Sequence, residues 1–255
     1  DELCTLRGKV ALITGGSRGI GRAIALAFAE AGADLAVSSR NRRPPELEET
    51  AAQVRAMGRK AVAVPAHVGK TDDVAGLVQK TLDTFGRIDI LVNNAGGNPV
   101  LSTLAELEED AFDKVMEVNL KGAFLVSKAV VPAMIGQGGG RIINVSSVSG
   151  LRARNDRTGA YCISKAALNM LTQVMARELA GHNILVNAIA PGSIRTEFSR
   201  VNWQDPERYS RRVRDIELGR FGEPAEVAGI ALFLASGAGA FVTGEIIRVD
   251  GGEMI

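Results

Sequence analysis

Tyr161 and Lys165 stand four residues apart in a long helical pattern, and this spacing places both side chains on one helix face. A free tyrosine has a pKa of about 10, so its phenol is a poor base at neutral pH. A nearby ammonium group stabilises the phenolate, and lowering the pKa by three units needs about 4 kcal/mol. The pair predicts a tyrosine that moves a proton, although this spacing alone is common by chance.

Other polar side chains are expected near this pair. Ser146 and Ser147 follow an apolar run at residues 141–145, and Asn-Asn-Ala-Gly at residues 93–96 ends another run. Asn119 lies within a helical pattern, where asparagine is otherwise unfavourable. Because the carboxyl ends of strands border the ligand crevice of an open α/β sheet, these residues are expected to line one site.

A glycine-rich loop follows the first apolar run and opens a helical pattern. Residues 14–21 read Thr-Gly-Gly-Ser-Arg-Gly-Ile-Gly. Gly15 allows a tight turn, Gly19 permits close approach of a phosphate, and Gly21 lets helix and strand pack. The free N–H groups and positive dipole end of the helix favour a pyrophosphate. The loop therefore predicts a dinucleotide site, with a purely structural glycine turn as the alternative.

The elements that position these residues follow from apolar patterning. Amphipathic patterns at residues 21–31, 47–57, 72–85 and 165–179 alternate with short apolar runs that are rich in β-branched residues. Such runs are typical of parallel strands buried on both faces. We predict a single-domain α/β fold over residues 1–255 with a doubly wound, Rossmann-type, parallel seven-stranded sheet. The seven runs are Val10–Thr14, Leu35–Ser38, Ala61–Val64, Ile88–Val92, Arg141–Val145, Leu185–Ile189 and Glu245–Val249.

The end of the second run carries arginines and no acid. Residues 38–43 read Ser-Ser-Arg-Asn-Arg-Arg. An acid there would bind the ribose 2′-hydroxyl of NAD, whereas an arginine accommodates the 2′-phosphate of NADP. We predict that Arg40 and Arg18 clamp this phosphate, and that Arg42 and Arg43 are solvated loop cations. A hundredfold preference for NADP(H) needs only about 2.7 kcal/mol, within reach of two charge-assisted hydrogen bonds.

Bulk composition excludes several classes of function. Hydrophobic residues make up 46% of the chain, and 30 basic residues face 29 acidic ones. A nucleic-acid partner is not expected, because such binders usually carry a basic excess. Cys4 and Cys162 imply no disulfide framework and fit a reducing compartment. No signal peptide and no run of 18 apolar residues is visible, so we expect a cytoplasmic protein without a membrane partner. No metal site is predicted.

The chain resembles the short-chain dehydrogenase/reductases along nearly its full length. The resemblance implies that Tyr161 transfers the proton and that Ser147 hydrogen-bonds the substrate oxygen. It implies that Lys165 lowers the tyrosine pKa and binds the nicotinamide ribose, and that Asn119 holds a water connecting Lys165 to solvent. It also implies a homotetramer, with the Tyr161–Leu179 helix and the C-terminal strand at interfaces. The matching segments are Thr14–Gly21, Asn93–Gly96, Asn119, Ser147, Tyr161, Lys165 and Pro191-Gly192.

The same resemblance, together with the glycine loop and the arginines, predicts the residues that contact the cofactor NADP(H). They are Gly15, Ser17, Arg18, Gly19, Ile20, Gly21, Ser39, Arg40, His67, Val68, Asn94, Ala95, Gly96, Tyr161, Lys165, Pro191, Gly192, Ile194 and Thr196.

Two departures from the family pattern affect this site. Thirteen residues separate Ser147 from Tyr161, one more than usual, and a bulge within residues 148–160 is expected to absorb the difference. His67-Val68 stands where the family usually has Asp-Val, whose aspartate accepts from the adenine amino group. Neutral histidine accepts through one nitrogen, so we expect adenine binding to survive in weaker form.

Within the family, the chain is most similar to the NADP-dependent carbonyl reductase/retinol dehydrogenase branch. That branch implies reduction of ketones, aldehydes or dicarbonyls to alcohols. A 3-oxoacyl carrier-protein reductase is the main alternative, although Gly138 and His182 stand where such enzymes tend to carry basic residues. A sugar or polyol dehydrogenase and a non-catalytic NADP(H) sensor are further alternatives. The segments that carry this similarity are Ser38-Ser39-Arg40, His67-Val68-Gly69-Lys70, Asn98-Pro99 and Phe198-Ser199-Arg200 with Trp203.

Residues 197–218 are expected to form a substrate lid. Five arginines face five acids in this segment, so we interpret it as an ion-paired helix and not as an anion funnel. Phe198 and Trp203 either line the pocket or anchor the lid. Arg152, Arg154 and Arg157 are candidates for a contact with a substrate carboxylate.

Overall fold

The strands of this protein form one parallel sheet of seven. The structure is a computed structural model that describes residues 2–40, 44–98, 100–153 and 157–255. The sheet order is β3-β2-β1-β4-β5-β6-β7, and every neighbouring pair is parallel. The predicted single-domain, doubly wound α/β fold is thereby confirmed. The strands are β1 (Val10–Thr14), β2 (Asp34–Ser39), β3 (Ala61–Pro65), β4 (Ile90–Asn93), β5 (Gly140–Val145), β6 (Ile184–Pro191) and β7 (Ile246–Val249).

Helices cover both faces of this sheet. Ala11 and Ile13 of β1 join the core on one face, whereas Leu12 between them joins the core on the other face. Because both faces are covered, a central strand buries every side chain, which is why these strands appear as continuous apolar runs. The described helices are α1 (Gly19–Glu30), α2 (Pro44–Ala56), α3 (Thr71–Phe85), α4 (Glu109–Met116), α5 (Gly122–Gly136), α6 (Gly159–Leu179), α7 (Arg200–Gln204), α8 (Pro206–Val213) and α9 (Pro224–Ala235).

The two edge strands differ from the expectation of burial on both faces. Every residue of β3 from Ala61 to Val64 is only partly buried, and Arg248 of β7 is exposed. An edge strand has a neighbour on one side only, so its side chains are covered less completely than those of β1. The bounds also shift: β4 begins at Ile90, two residues later than predicted, and α6 begins at Gly159, two residues before the expected start at Tyr161.

One helical run, Glu109–Gly136, is long and apolar enough to cross a membrane by length and composition, with a mean hydropathy of 1.4. From the sequence, no run of this kind is expected. In this fold Val126, Val130 and Met134 are fully buried in the core on one face of the sheet. The apolar side of α5 is therefore used for packing against β4 and β5.

The sheet order creates a crevice between β1 and β4. From β1 the chain winds to β2 and β3 on one side, and from β4 it winds to β5, β6 and β7 on the other. The connections after these two neighbouring strands therefore diverge, and open α/β sheets bind ligands at this switch point. The glycine loop follows β1, and residues 94–97 follow β4, so both candidate segments border the crevice.

Candidate active site

The glycine loop adopts a conformation that only glycine accommodates. Gly15 has φ +65° and Gly19 has φ +55°, both in the left-handed region that L side chains avoid. A Cβ on Gly21 would lie 2.3 Å from the carbonyl oxygen of Gly15. The loop therefore forms a narrow backbone cradle that side chains would fill.

The connection after β4 holds this loop in place. The Thr14 hydroxyl accepts from the backbone N–H groups of Asn94 and Ala95, both at 3.1 Å. The Asn94 amide donates to the carbonyls of Thr14 and Gly15 at 3.1 and 3.0 Å. Asn94 is thus a positioning residue for the cradle.

The cradle fits a dinucleotide pyrophosphate. Helix α1 begins at Gly19, and the Arg18 side chain before it makes no capping hydrogen bond to the first-turn N–H groups. These amides and the positive end of the helix dipole suit an anion. Thr196 lies across the cradle, 3.5 Å from the position of a Cβ on Gly19. Ser17 and Ile20 are half-buried within the same loop.

Helix α6 presents Tyr161 and Lys165 on one face, as the spacing predicts. The Lys165 ammonium donates to the Val145 carbonyl at the end of β5 at 2.7 Å. It lies 5.7 Å from the centroid of the Tyr161 ring and 3.4 Å from the position of a Cβ on Gly96. Lys165 therefore joins the ends of β4 and β5 to the tyrosine, and the bare backbone of Gly96 leaves space for it.

The two serines after β5 point in different directions. The Ser147 hydroxyl lies close enough to the Tyr161 phenol to oppose the rise of its pKa, and it accepts from the Ser149 N–H at 3.1 Å. The Ser146 hydroxyl donates to the Lys165 carbonyl at 3.3 Å and is buried. Ser147 is therefore the serine that can meet a substrate oxygen beside Tyr161, which is the residue chosen from the sequence.

The longer Ser147–Tyr161 connection does not separate these hydroxyls. A 3-10 turn at Val148–Gly150 follows Ser147, and Arg157 adopts φ +59° shortly before α6. The Ser102 N–H donates to the Arg157 carbonyl at 2.9 Å, which ties this connection to the loop after β4. Residues 154–156 lie outside the described residues, including Arg154 of the candidate carboxylate contact.

Asn119 lies on a π-helical turn, Glu117–Lys121, between α4 and α5. Its side chain accepts from the Gly97 N–H at 2.8 Å and donates to the Gly97 carbonyl and the Ser164 hydroxyl, both at 3.0 Å. Ser164 in turn donates to the Tyr161 carbonyl at 2.8 Å. Asn119 therefore links the loop after β4 to α6, and its implied contact with a water stays a prediction.

Burial sets the protonation of the catalytic pair. It raises the pKa of Tyr161 to about 12, against the opposing hydrogen bond from Ser147 and with a smaller contribution from Cys162. Burial also lowers the pKa of Lys165 to about 8. Lys165 was expected to lower the pKa of Tyr161, but the protein's own groups raise it. Tyr161 is a neutral phenol at neutral pH and has a proton to donate.

The adenosine side of the crevice contains the predicted arginine. The Gly16 N–H donates to the Ser38 carbonyl at 2.9 Å, which places the end of β2 against the glycine loop. Ser39 is half-buried, and Arg40 and Arg18 are exposed on these two adjacent segments. Arg42 and Arg43, interpreted as solvated cations, lie outside the described residues.

His67 is half-buried after β3, and one of its ring nitrogens makes a local hydrogen bond. Its Nδ1 accepts from the Gly69 N–H at 3.2 Å, and its own backbone N–H donates to Asp73 at 2.8 Å. This bond engages Nδ1 within the same loop, and the expected contact of His67 with the adenine amino group stays a prediction. Val68 is buried, close to Gly122 at the start of α5.

The segment after β6 forms the opposite wall. Pro191 and Ile194 are buried, and Gly192 and Thr196 are half-buried. The Trp203 indole donates to the Thr196 carbonyl at 2.8 Å. This bond makes Trp203 an anchor of residues 197–218, which is one of the two roles left open by the sequence.

Phe198 lies beside Tyr161, where it can line a pocket. The two ring centroids are 6.1 Å apart, and Phe198 is 61% exposed. It therefore presents apolar surface beside the Tyr161 ring.

Some charges in residues 197–218 are paired within the segment, which forms the two short helices α7 and α8 and not the single helix that was expected. Arg200 lies 3.3 Å from Glu197, and Arg208 lies 3.6 Å from Asp205. Outside the segment, Arg157 lies 3.0 Å from Glu106, so it is engaged in an ion pair. These pairs give no support for an anion funnel.

One acid that borders the site is absent from the sequence-based set. Glu253 is buried, and its carboxylate accepts from the Ser193 N–H at 2.7 Å. Its only sequence signal is an acidic side chain directly after Gly251-Gly252, close to the chain end, where burial would not be expected.

Comparison with known proteins covers almost the whole chain. A family profile described as "Enoyl-(Acyl carrier protein) reductase" matches residues 15–253. Dehydrogenase/reductase SDR family member 4 of Bos taurus is 41% identical over 249 residues, covering 98% of this chain and 88% of that protein. The 3-oxoacyl-[acyl-carrier-protein] reductase FabG of Thermotoga maritima is also 41% identical, over 255 residues, covering 98% of this chain and 99% of that protein.

Solved structures with the same fold hold either nicotinamide cofactor. A candidate NAD(P)-dependent gluconate 5-dehydrogenase of Beutenbergia cavernae, with bound NADP, superposes with a TM-score of 0.92 at 34% identity, covering 98% of both chains. A 7α-hydroxysteroid dehydrogenase complexed with NADH and 7-oxo glycochenodeoxycholic acid superposes with a TM-score of 0.93 at 34% identity, covering 98% of this chain and 96% of that chain. The fold is therefore compatible with both cofactors.

Proposed function

The chain belongs to the short-chain dehydrogenase/reductase family, and we propose that it is an NADP(H)-dependent reductase that converts a ketone, aldehyde or dicarbonyl to an alcohol. The family uses NAD(P)(H) and acts on carbonyl and CH–OH groups. The observation that carries the proposal is the arrangement of Tyr161 and Lys165 on one face of α6, with the Lys165 ammonium 5.7 Å from the centroid of the Tyr161 ring and Ser147 beside the phenol.

The chain's own groups supply the proton chemistry. Ser147 donates a hydrogen bond to the carbonyl oxygen and polarises it, and Tyr161 gives its proton to that oxygen. Lys165 holds a positive charge beside the phenol and favours the phenolate that remains. When bound, NADP(H) exchanges a hydride with the carbonyl carbon. The cradle at Gly15–Gly21 and the backbone at Gly96 would hold it.

The choice of NADP(H) is supported by local charge. Arg18 and Arg40 border the adenosine side, and the described end of β2 carries no acid that would repel a 2′-phosphate. The structural relatives with NADP and with NADH share the fold, so the preference depends on these side chains.

Apolar surface around Tyr161 favours a substrate with an apolar body. Phe198 approaches the tyrosine from residues 197–218, and Leu104 lies close to Gly159 at the start of α6. Leu101 and Leu151 are also exposed, on the connections after β4 and β5. These side chains come from connections at the carboxyl edge of the sheet and would cover an alkyl or aryl group better than a polyol. This favours the carbonyl-reductase proposal over a sugar or polyol dehydrogenase.

Replacing Phe198 by alanine should raise the KM for an aryl ketone about tenfold and leave the Kd for NADPH within about twofold. The change removes apolar contact worth about 1.5 kcal/mol from the substrate and none from the adenosine half. Steady-state kinetics with NADPH measures the first value and fluorescence titration the second. Met57→Ala, which removes another exposed apolar side chain after α2, is the control. An unchanged KM would exclude Phe198 from the substrate wall.

The rate of carbonyl reduction should be constant from pH 6 to about 7.5 and fall above pH 8. Tyr161, with a pKa of about 12, keeps its proton throughout, whereas Lys165 is charged only below its pKa of about 8. A pH profile of kcat/KM with saturating NADPH tests this. A Lys165→Arg variant, whose charge persists to higher pH, should lose activity but show no fall near pH 8. A wild-type profile that is flat to pH 10 would contradict the assignment.

A 3-oxoacyl carrier-protein reductase stays as the second candidate, because the Thermotoga relative with that name matches the full chain at 41% identity. The decisive assay follows nicotinamide absorbance with NADPH or NADH across ketones, aldehydes, dicarbonyls, a 3-oxoacyl thioester and sugars. Turnover of ketones or dicarbonyls with NADPH supports the proposal, and turnover of the thioester alone would select the second candidate. Cofactor binding without any turnover would favour the sensor.

We also propose a cytoplasmic homotetramer that acts on a small molecule and binds neither nucleic acid nor membrane. Exposed apolar side chains on α5 and α6 support an assembly. Phe124 and Leu171 line a groove of about 780 Å³ there, and Ile163 and Met170 are exposed on α6. The near-zero net charge of +1 supports the absence of a nucleic-acid partner.

A further inference from the structure

A buried carboxylate near the chain end connects two parts of the candidate site. The side chain of Glu253 is 1% exposed, and its two oxygens receive the Ser193 N–H at 2.7 Å and the Ser193 hydroxyl at 3.2 Å. Ser193 follows Gly192 in the segment expected to meet the nicotinamide. Burying a charge is costly unless it has partners, and the two hydrogen bonds from Ser193 compensate part of that cost.

The same carboxylate also meets the lid helix. Arg212 of α8 lies 4.0 Å from Oε1 of Glu253, with its side chain 22% exposed. The two groups form an ion pair in which the carboxylate has almost no contact with water. Glu253 therefore makes two contacts. It accepts hydrogen bonds from Ser193 in the wall after β6, and it pairs with Arg212 of α8.

The chain bends sharply to bring this acid inward. Gly251 and Gly252 both have positive φ, +61° and +86°, and the Leu218 N–H donates to the Gly251 carbonyl at 3.0 Å. A Cβ on Gly252 would lie 2.8 Å from Cβ of Glu217, so the turn packs directly against the end of the lid. The left-handed glycines thus permit a return that other residues would strain.

On the far side, Ser193 is held by a second partner. Its carbonyl accepts from the Gly222 N–H at 3.0 Å, and the Gly222 carbonyl accepts from the Arg195 N–H at 2.8 Å. The wall is consequently fixed between a backbone bridge and the Glu253 carboxylate. Loss of the carboxylate would free one side of the wall while leaving the other attached.

We propose that Glu253 is a positioning residue that couples the lid to the wall after β6, so that closure of α8 through Arg212 fixes Ser193 and the nicotinamide-facing backbone. This inference rests on the proposed function, because it assigns the wall to the nicotinamide half of NADP(H). A change at Arg212 should therefore alter the mobility of the Ser193 backbone, because Glu253 contacts both residues.

The first test is hydrogen exchange followed by mass spectrometry on the full chain without added cofactor. Glu253→Gln should speed exchange about tenfold or more at the Ser193 amide, which loses a charge-assisted acceptor. Arg212→Gln should speed exchange several-fold in residues 190–196 as well as in residues 205–218. In the Glu253→Gln background, Arg212→Gln should add nothing at residues 190–196. The control is Arg211→Gln, an exposed neighbour on α8.

If Arg212→Gln changes exchange only in residues 205–218, and matches Arg211→Gln at residues 190–196, the coupling is refuted. Should Glu253→Gln fail to fold, Ser193→Ala replaces it, because it removes the 3.2 Å hydroxyl bond and keeps the N–H bond. Arg212→Gln should then have a smaller effect at residues 190–196 in the Ser193→Ala background, and an undiminished effect would refute coupling through Glu253.

The second test separates the two halves of the cofactor. Glu253→Gln should weaken NADPH binding about tenfold and leave binding of adenosine 2′,5′-bisphosphate, which has no nicotinamide, within about twofold. A general structural defect would weaken both ligands equally, and that result would overturn the proposal. If the wild-type chain binds neither ligand, the proposed function fails instead, while the exchange experiment still decides whether Arg212 and Ser193 are coupled.

Discussion

Replacing Tyr161 by phenylalanine should lower kcat about a thousandfold or more and leave the Kd for NADPH within about twofold. The variant keeps the ring beside Phe198 and loses only the hydroxyl that carries the proton. General acid catalysis by a positioned side chain typically contributes about 10²–10⁴-fold. The Ser147 hydrogen bond that remains polarises the substrate oxygen but cannot replace the donated proton.

The measurement is NADPH absorbance at saturating ketone, with fluorescence titration for the cofactor. Tyr209→Phe is a matched control, because Tyr209 is the only other tyrosine and its ring stacks on Phe221 at 5.4 Å between centroids. A Tyr161→Phe enzyme that keeps more than a tenth of wild-type kcat would require another proton donor. An equal loss in the control would indicate a general effect of losing a hydroxyl.

Replacing Arg40 by aspartate should reverse the cofactor preference, changing the NADPH-to-NADH ratio of kcat/KM by about a hundredfold or more. A carboxylate at this position would repel a 2′-phosphate and accept a hydrogen bond from the 2′-hydroxyl of NADH. Loss of a charge-assisted contact alone costs about 1.5–3 kcal/mol, and introduced repulsion adds to it. The effect should appear mainly in KM for the cofactor, since the reacting groups on α6 are unchanged.

Two further variants separate the contributions to this preference. Arg40→Gln removes the cation without adding an acid, so it should weaken NADPH without improving NADH. Arg55→Asp makes the same charge change on α2, where Arg55 pairs with Glu48, and should leave the ratio unaltered. An unaltered ratio in Arg40→Asp would mean that the phosphate is bound elsewhere, with Arg18 the next residue to replace.

Some features of this protein are determined by local sequence. The alternation of strands and helices can be recognised in the sequence because parallel strands buried on both faces must be continuously apolar. The glycine loop can be recognised because Gly15 and Gly19 adopt φ values that residues with side chains avoid. Tyr161 and Lys165 share a helix face by periodicity alone. Each of these properties depends on neighbours within a few residues, so the strands, the glycine loop and the shared helix face could be predicted.

Other features were decided only by the tertiary structure. The sequence contains both Ser146 and Ser147, and contacts with α6 decide which hydroxyl meets Tyr161. The sequence does not distinguish the roles of Phe198 and Trp203. In the structure Phe198 lies beside Tyr161, whereas the Trp203 indole donates to the Thr196 carbonyl. A side chain's direction depends on the backbone geometry and packing around it, which apolar periodicity does not encode.

Contacts between residues far apart in the sequence also depend on how the chain packs. The pKa of Tyr161 is raised to about 12 by burial among residues from several loops, against the expectation drawn from Lys165 alone. The Glu253 carboxylate accepts from the Ser193 N–H across 60 positions of the chain. Local sequence therefore determined the scaffold and the pair to which we assign proton transfer. The raised pKa of Tyr161, the position of Phe198 beside it and the Glu253 contact were decided by desolvation and contacts that exist only once the chain has folded.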